Sequence, residues 1–592
     1  MLDLWMCLGK WREQNFPRIG KVRVGISSHH TFSVYEHCRH ELRICLNEAR
    51  PFPLRASSAA LDIPAPAISS PAGRRIVMVV PVVTGDKRWD GIGVTASDLI
   101  LGSALTRQGY RVSVTHPQFP SGPPLQIVEK SDILGISLYE DLFPAVRSWS
   151  RTVGDKLPDW VAAGGPMVTL NPLPAVAHFP RGNLWIRGEA EGVFPKVLKA
   201  LESAQLLQLK NCEGVLLIKQ NLLMAWEFSK INRPSLPLDP DFDFSFIEPQ
   251  AWKKGIEINL TRGCERTCIF CSRAQGNKLR RMPEPSTLLM LEKIREAMPP
   301  DSGKPLAAVL NINDDDILQD ADYAARVFQG IHRAGFRLWG VQTSLSSVLN
   351  QGKPHEKVID LLSRGEYFAN GPLVWFGTDA FLPRRGKRLC KPVPSATQME
   401  RLFSLFQARN IRHHHYWISS DHISGWPEMT DELCLITRWW KKFPNFHILP
   451  HSPFLIPYPC TPLFAWVSQS PFKQQLRFRE WMRSSVPCLD YPLVERVESA
   501  FEMLNNMLRG QSDGHHPAFL QSLQHRDPGA ALETAHYFLR QERLRLEGTS
   551  RLDKKVLLSL DLAGEKLQAA ILENRMQSQL KKTTTRKEAA RS

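Results

Sequence analysis

Two series of apolar runs, each alternating with amphipathic segments, organise this chain. Residues 76–83 are almost continuously apolar, with Pro81 near their end, the pattern of a strand buried on both faces of a parallel sheet. Residues 95–108 then have helical character, and the strand signal returns at 110–115, 132–138, 160–168 and 183–186, with helix-compatible segments between most of them. That alternation predicts a doubly wound α/β sheet, whose ligands sit at the carboxyl ends of its strands. A second series opens at 256–260 and continues at 306–312, 338–342, 373–377, 413–419 and 447–456. Helix-compatible segments at 286–296, 321–335, 355–364 and 398–409 fall between most of these strands.

The connecting stretches divide the chain further. Residues 1–50 have no convincing period and 51–73 are rich in Pro, Ala and Ser, so 1–74 is an extension and linker to which no function is assigned. Residues 206–240 read as a small hairpin followed by a Pro-rich linker. Beyond 470 the pattern is helical and amphipathic, with Val494, Val497, Phe501, Leu504 and Leu508 on one face. The expected units are therefore 1–74, 75–204, 205–250, 251–469, a C-terminal helical domain at 470–580 and a solvated basic tail at 581–592.

At 592 residues the chain is too long for one ordinary core, which fits this division. Its 11 cysteines include no paired framework, so a reducing cytoplasm is expected rather than disulfides. The net charge of +16 could suit nucleic acid, an anionic membrane or an acidic redox partner. Part of that charge lies in the first fifty residues and the tail, so no RNA-reading groove is required and no nucleic-acid partner is expected. No apolar run reaches the roughly 18 residues of a membrane span. Lys10, Arg12 and Glu13 break up what could otherwise be read as a signal peptide.

The chemistry concentrates at TRGCERTCIFCS, where Cys264, Cys268 and Cys271 fall within eight residues just after the strand at 255–260. Gly263, Glu265 and Arg266 mark a loop. Structural zinc normally takes four ligands, whereas three thiols on one loop suit an iron-sulfur cluster with one iron left open. The C-x3-C-x2-C spacing, with Phe270 beside the last cysteine, resembles the motif of the radical S-adenosylmethionine (SAM) superfamily. The resemblance implies a [4Fe-4S] cluster whose fourth iron is chelated by SAM. It also implies that the second series of strands forms a partial (β/α)6 radical SAM barrel.

A second resemblance lies at the strand ends of the first series, to Rossmann-like cobalamin-binding domains. The D-x-H-x-x-G element of that family is matched by Asp86, Arg88 and Gly91, with Arg88 where a cobalt-ligating histidine would be. An arginine has no lone pair available for cobalt, so cobalamin is expected here without a histidine beneath the metal. Arg88 is similar to the arginine that the tryptophan-methylating branch of the family sets below cobalt. Ser137 keeps part of an S-x-L element, Gly164 and Gly165 keep a glycine pair, and Glu189 belongs to an R-G-E-x-E element common in cobalamin-dependent radical SAM enzymes.

Further candidates sit at the ends of the second series. Asp314 and Asp315, in the triplet that ends at Asp316, stand where the family often faces SAM; a helix N-terminal charge cluster is the other reading. Thr343, Thr378 and Asp379 offer short polar groups to the SAM ribose or carboxylate, or serve ordinary turns. Of the three histidines 413–415, His413 and His415 should share one face of a strand, with His414 on the other. Residues 457–463 resemble a P-x-P-G-T-P-L segment with Cys460 in place of the glycine.

The combined resemblance implies a cobalamin-dependent radical SAM methyltransferase, passing a methyl group from SAM via methylcobalamin to an unactivated or weakly nucleophilic carbon of a natural-product, peptide or lipid precursor. A flavodoxin- or ferredoxin-type electron donor is implied as partner. The alternatives are a radical rearrangement or cyclisation without methyl transfer, and a non-catalytic cluster protein that senses redox state or iron. A tRNA methylthiotransferase would need a second cysteine triplet at cluster spacing; Cys7, Cys38, Cys45 and Cys212 do not form one.

Overall fold

The computed structural model describes residues 74–80, 92–117, 121–139, 143–170, 172, 175–176, 179, 182–203, 212–219, 222–226, 231–233, 241–252, 254–299, 309–418, 426–449, 461–463, 527–547 and 554–589. In chain order the first strands are β1 (Arg75–Val79), β2 (Ile92–Val94), β3 (Arg111–Thr115), β4 (Ile133–Ser137), β5 (Trp160–Gly164), β6 (Leu184–Ile186), β7 (Val215–Lys219) and β8 (Leu222–Trp226). All but β2 form one seven-stranded sheet in the order β3-β1-β4-β5-β6-β7-β8. The pairs from β3 to β6 are parallel, and the hairpin β7–β8 extends the sheet antiparallel.

Alternation along these strands feeds two cores. Val77, Val79, Leu134, Ile136, Val161 and Ala163 enter one apolar cluster, and Ile76, Met78, Ile133, Trp160, Ala162 and Leu184 enter the other. Both faces are covered, which is why the strands read as continuous apolar runs. The strand order reverses beside β1, and in such sheets ligands bind outside the carboxyl ends at that point. One expected strand is shorter than its apolar pattern. Residues 160–168 split into β5 and a helix at Pro166–Leu170, because Gly165 takes φ +89° and Pro166 suits the first helical position.

The second series gives β9 (Gly255–Ile258), β10 (Thr261–Arg262), β11 (Arg280–Arg281), β12 (Val309–Ile312), β13 (Arg337–Leu338), β14 (Val341–Thr343), β15 (Leu349–Asn350), β16 (Lys353–Pro354), β17 (Leu373–Asp379), β18 (Arg412–Trp417) and β19 (Phe446–Leu449). Hydrogen bonding arranges the long strands as two four-stranded parallel sheets, β13-β12-β9-β2 and β14-β17-β18-β19, rather than one continuous barrel sheet. The expected strand at 338–342 is broken at Trp339 and Gly340, so its first half pairs with β12 and its second with β17. Strand β2, although it comes from the first series, is an edge strand of this second unit.

Helices Glu284–Ala297, Ala321–Arg333, Glu356–Ser363 and Ala396–Ala408 lie where the sequence places them. Their ends are set locally: Ser395 and Gln398 form a capping box, and Asp320 caps the helix that begins at Ala321. Helix Trp426–Lys442 packs on two C-terminal helices, Pro528–Glu547 and Lys554–Ala589. The last of these runs on through 581–589, so most of the expected basic tail is helical; the stretch contains no Gly or Pro to stop it. The apolar face at 494–508 lies outside the described residues. No helix among the described residues is long and apolar enough to cross a membrane.

Candidate active site

The three cysteines occupy a loop that is pinned on several sides. Gly263 begins it at φ +87°, and a Cβ there would lie 2.3 Å from the Lys278 carbonyl, so a larger residue would push the loop off its support. The Cys264 N–H donates to the Gly276 carbonyl (3.2 Å) and the Cys271 N–H to the Cys268 carbonyl (3.3 Å). Ile269, inside the loop, donates to the Leu389 carbonyl (3.1 Å) and accepts from the Leu463 N–H (3.0 Å). Ile269 and Phe270 pack against a small cluster of Ala380, Leu389, Ile418 and Leu463. Leu463 closes the proline-rich segment, whose Cys460 lies outside the described residues.

Burial pushes all three thiols above their ordinary range, and each feels another thiol of the triplet. Asp315 and Asp316 act in the same direction on Cys264, and Asp315 on Cys271. Lys391 acts the other way, against Asp379 at Cys268 and against Asp315 at Cys271. Among the described residues no three His, Cys, Asp or Glu side chains converge on a point where one metal ion could sit. A cubane does not ask for that, because each thiolate binds its own iron. Three thiols on one pinned loop match that donor set.

The acidic triplet divides into different tasks. Asp314 is buried and accepts from the N–H groups of Leu260 (2.9 Å) and Thr261 (2.8 Å) and from the Thr261 hydroxyl (2.8 Å). It fixes the chain as it enters the cysteine loop. Burial raises its pKa to about 7 against the pull of these donors. Asp316 is also buried and accepts from Thr343 (2.5 Å), Ser344 (2.8 Å) and Ser347 (2.9 Å), with Arg266 of the cysteine loop 3.7 Å away. Thr343 is thereby committed to Asp316. Asp315 is exposed, accepts from the Gly263 N–H and borders Cys264 and Cys271, so it is the member of the triplet open to a ligand.

On the other flank, Thr378 is buried and bonds His415 Nδ1 (2.6 Å), whose Nε2 lies 2.8 Å from His413 Nδ1. His413 and His415 are fully buried on one face of β18, as the alternation predicts, and His414 is on the other face. His414 meets His447 of the next strand at 4.7 Å between ring centroids. Asp379 ends β17 in a left-handed conformation, φ +61°, and pairs with Lys391. Lys391 carried no signal in the sequence. Its place depends on the turn at Leu389–Lys391, which only the fold brings beside the loop.

At the first sheet, Ser137 ends β4 in register with Gly164 at the end of β5. The space beside Gly165 is taken: a Cβ would lie 2.6 Å from Ser137 Oγ and 2.9 Å from the Leu138 backbone. Gly165 therefore serves strand packing, while the nearest atom to a Cβ at Gly164 is the Ile186 carbonyl at 3.6 Å. Asp86, Arg88 and Gly91 lie outside the described residues. Strands β1, β4 and β5, which the three motif elements follow in sequence, neighbour one another in the sheet.

Glu189, three residues beyond the end of β6, has a firm use. It accepts from Arg262 (2.7 Å) and from two nitrogens of Arg280, one at 2.9 Å, and Glu191 pairs with Arg262 as well. Burial works against the Arg262 guanidinium, but Glu191 and Glu189 together keep its pKa above the ordinary value. Arg262 is two residues before Cys264. The R-G-E-x-E element thus ties the carboxyl edge of the first sheet to the root of the cysteine loop.

No protein-family model matches the sequence, and no curated protein matches it. Among solved structures, the cobalamin-dependent SAM radical enzyme OxsB, with aqua-cobalamin and SAM bound, is similar over 98% of this chain and 86% of its own, at 14% identity and a TM-score of 0.55. Its form with aqua-cobalamin alone is similar over 92% of this chain and 86% of its own, at 14% identity and a TM-score of 0.56. The radical SAM methyltransferase TsrM from Kitasatospora setae overlaps 66% of this chain and 75% of its own, at 14% identity and a TM-score of 0.49. In its mixed α/β architecture of parallel sheets the chain has the fold of the cobalamin-dependent radical SAM enzymes.

Proposed function

We propose that this protein is a cobalamin-dependent radical SAM methyltransferase acting on carbon of a natural-product, peptide or lipid precursor. The observation that carries the reading is the join between Glu189, Glu191, Arg262 and Arg280, which sets a C-x3-C-x2-C loop against the carboxyl edge of a doubly wound sheet. Cys264, Cys268 and Cys271 would hold a [4Fe-4S] cluster, and Asp315 and Asp379 border the ground that SAM would occupy. Ser137 and Gly164 would offer a hydroxyl and uncovered backbone to a flat corrin, and Arg88 would stand in for the histidine ligand of related domains. Bound together, the cluster, SAM and cobalamin would supply the one-electron and methyl-transfer chemistry, as cofactors generally do. The chain's own part is to orient them and keep water out: Asp314 and Asp316 hold the loop, and the Ile269–Leu463 contact backs it. A flavodoxin- or ferredoxin-type protein would supply electrons.

Anaerobic reconstitution with iron and sulfide, then cobalamin, SAM and a reductant, tests the reading. We expect cluster absorbance, a cobalamin spectrum and 5′-deoxyadenosine or S-adenosylhomocysteine by mass spectrometry, all SAM products vanishing in Cys268→Ala. SAM cleavage with no methylated product across candidate precursors, and no turnover of the corrin's methyl group, would favour rearrangement or cyclisation. Absence of any SAM product from cluster-loaded protein would sink the enzymatic reading in favour of a sensor.

A further inference from the structure

Lys391 is set beside the cysteine loop near the carboxyl end of β17, and it is held there by structure rather than by chance of rotamer. The helix at Pro383–Arg388 ends in a turn in which Leu389 N–H bonds the Arg385 carbonyl (3.0 Å) and Lys391 N–H bonds the Gly386 carbonyl (2.8 Å), with Cys390 at φ +51°. The Leu389 carbonyl in turn receives the Ile269 N–H from inside the cysteine loop. The lysine side chain crosses the strand end at Gly377, where a Cβ would come within 3.1 Å of its nitrogen. The ammonium pairs with Asp379 and lies 6.0 Å from the centre of the Phe270 ring. Asp379 is only 8% exposed, so the pair is little screened by solvent.

We propose that the Lys391–Asp379 pair sets the electrostatic potential at the cysteine loop and so tunes how readily a cluster held there accepts an electron. The inference rests on the cluster reading given above and deepens it. Three thiolates leave a [4Fe-4S] cluster with net negative charge, and reduction adds one more electron. A cation beside it favours that step and an anion opposes it, the more so where water is excluded. Phe270 lies between Cys268 and Cys271 in the loop, and the Ile269–Leu389 hydrogen bond fixes the turn that carries Lys391 against it, so the ammonium faces the stretch that bears two of the three cysteines. The lysine favours the added electron, and the aspartate holds it in place while partly offsetting it.

The test is a potentiometric titration of the reconstituted protein followed by electron paramagnetic resonance, with no substrate needed. Lys391→Met should make the cluster harder to reduce and Asp379→Asn easier, each by up to about tenfold in the reduction equilibrium, which for one electron is about 59 mV. The double variant should return close to wild type, and Lys391→Arg should hold the wild-type value. A merely structural pair predicts otherwise, because either single change breaks the same contact. Shifts of the same sign in Lys391→Met and Asp379→Asn, or no shift in either, overturn the proposal while leaving the cluster reading intact. Cluster loss in Lys391→Met but not in Lys391→Arg upholds the charge requirement, and loss in both overturns it. Failure of the wild-type protein to take up any cluster refutes the parent reading instead.

Discussion

His414 shows how a single side chain carries a pH dependence. Burial, with help from His447 and Arg412, lowers its pKa from 6.5 to about 4, and burial drives His415 well below 6.5 as well. The fold thus favours the neutral rings. Their contribution is fully present above pH 6.5 and is lost as pH falls toward 4, because the unfolded chain then binds more protons than the folded one. Thermal unfolding followed from pH 7 to pH 4 should show a falling midpoint, and His414→Gln should flatten part of that slope. An unchanged slope in the variant would mean that His414 is not held neutral. At this scale the sequence was legible where spacing alone fixes chemistry, as for Cys264, Cys268 and Cys271. It was silent on Lys391, whose role depends on a turn packed against a loop more than a hundred residues earlier. It also left Thr343 and Thr378 with two readings, and the structure turns both inward, to Asp316 and His415.

Elements were readable where burial on both faces or on one face imposes a period. Strand β4 lies inside the run that announced it, β1 begins one residue before its run and β17 ends two residues after its own, while helix Ala396–Ala408 starts two residues before the expected 398 because a capping box at Ser395 and Gln398 fixes its end. What periodicity could not show is a break that keeps residues buried. Val168 is apolar and buried whether in strand or helix, so only the positive φ of Gly165 reveals the change. Gly165→Ala should therefore cost about 2–4 kcal/mol, from a disfavoured backbone conformation and from the clash with Ser137 and Leu138. A fall of several degrees in the thermal midpoint is the expected outcome; wild-type stability would show that the neighbouring strand ends can part at little cost. The split of the expected strand at 338–342 has a similar origin, since Leu338 and Val341 are both fully buried, in different sheets.

Across the molecule, the α/β class and the succession of two parallel units were legible in the sequence, but their junction was not. Arg262 and Arg280 look like ordinary surface charges in a basic chain until the fold sets Glu189 and Glu191 against them. With Arg262 only 9% exposed, Glu189→Gln leaves a buried guanidinium with one of its two carboxylates gone, takes the same carboxylate from Arg280, and should cost about 3 kcal/mol. We expect faster proteolysis within 204–240 and a lower iron content after reconstitution, because the strut braces the root of the cysteine loop. Cleavage rates equal to wild type would show that the two sheets are held together elsewhere.

Strand β2 adds a topological consequence. Ile92 pairs with Gly255 and Val94 with Ile256, although β1 and β3, its neighbours along the chain, belong to the other sheet. The polypeptide leaves its first unit, lends three residues to the second, and returns. Expressed apart, the later unit would lack one border of its sheet and the earlier one would carry an orphaned ribbon, so neither half is whole on its own.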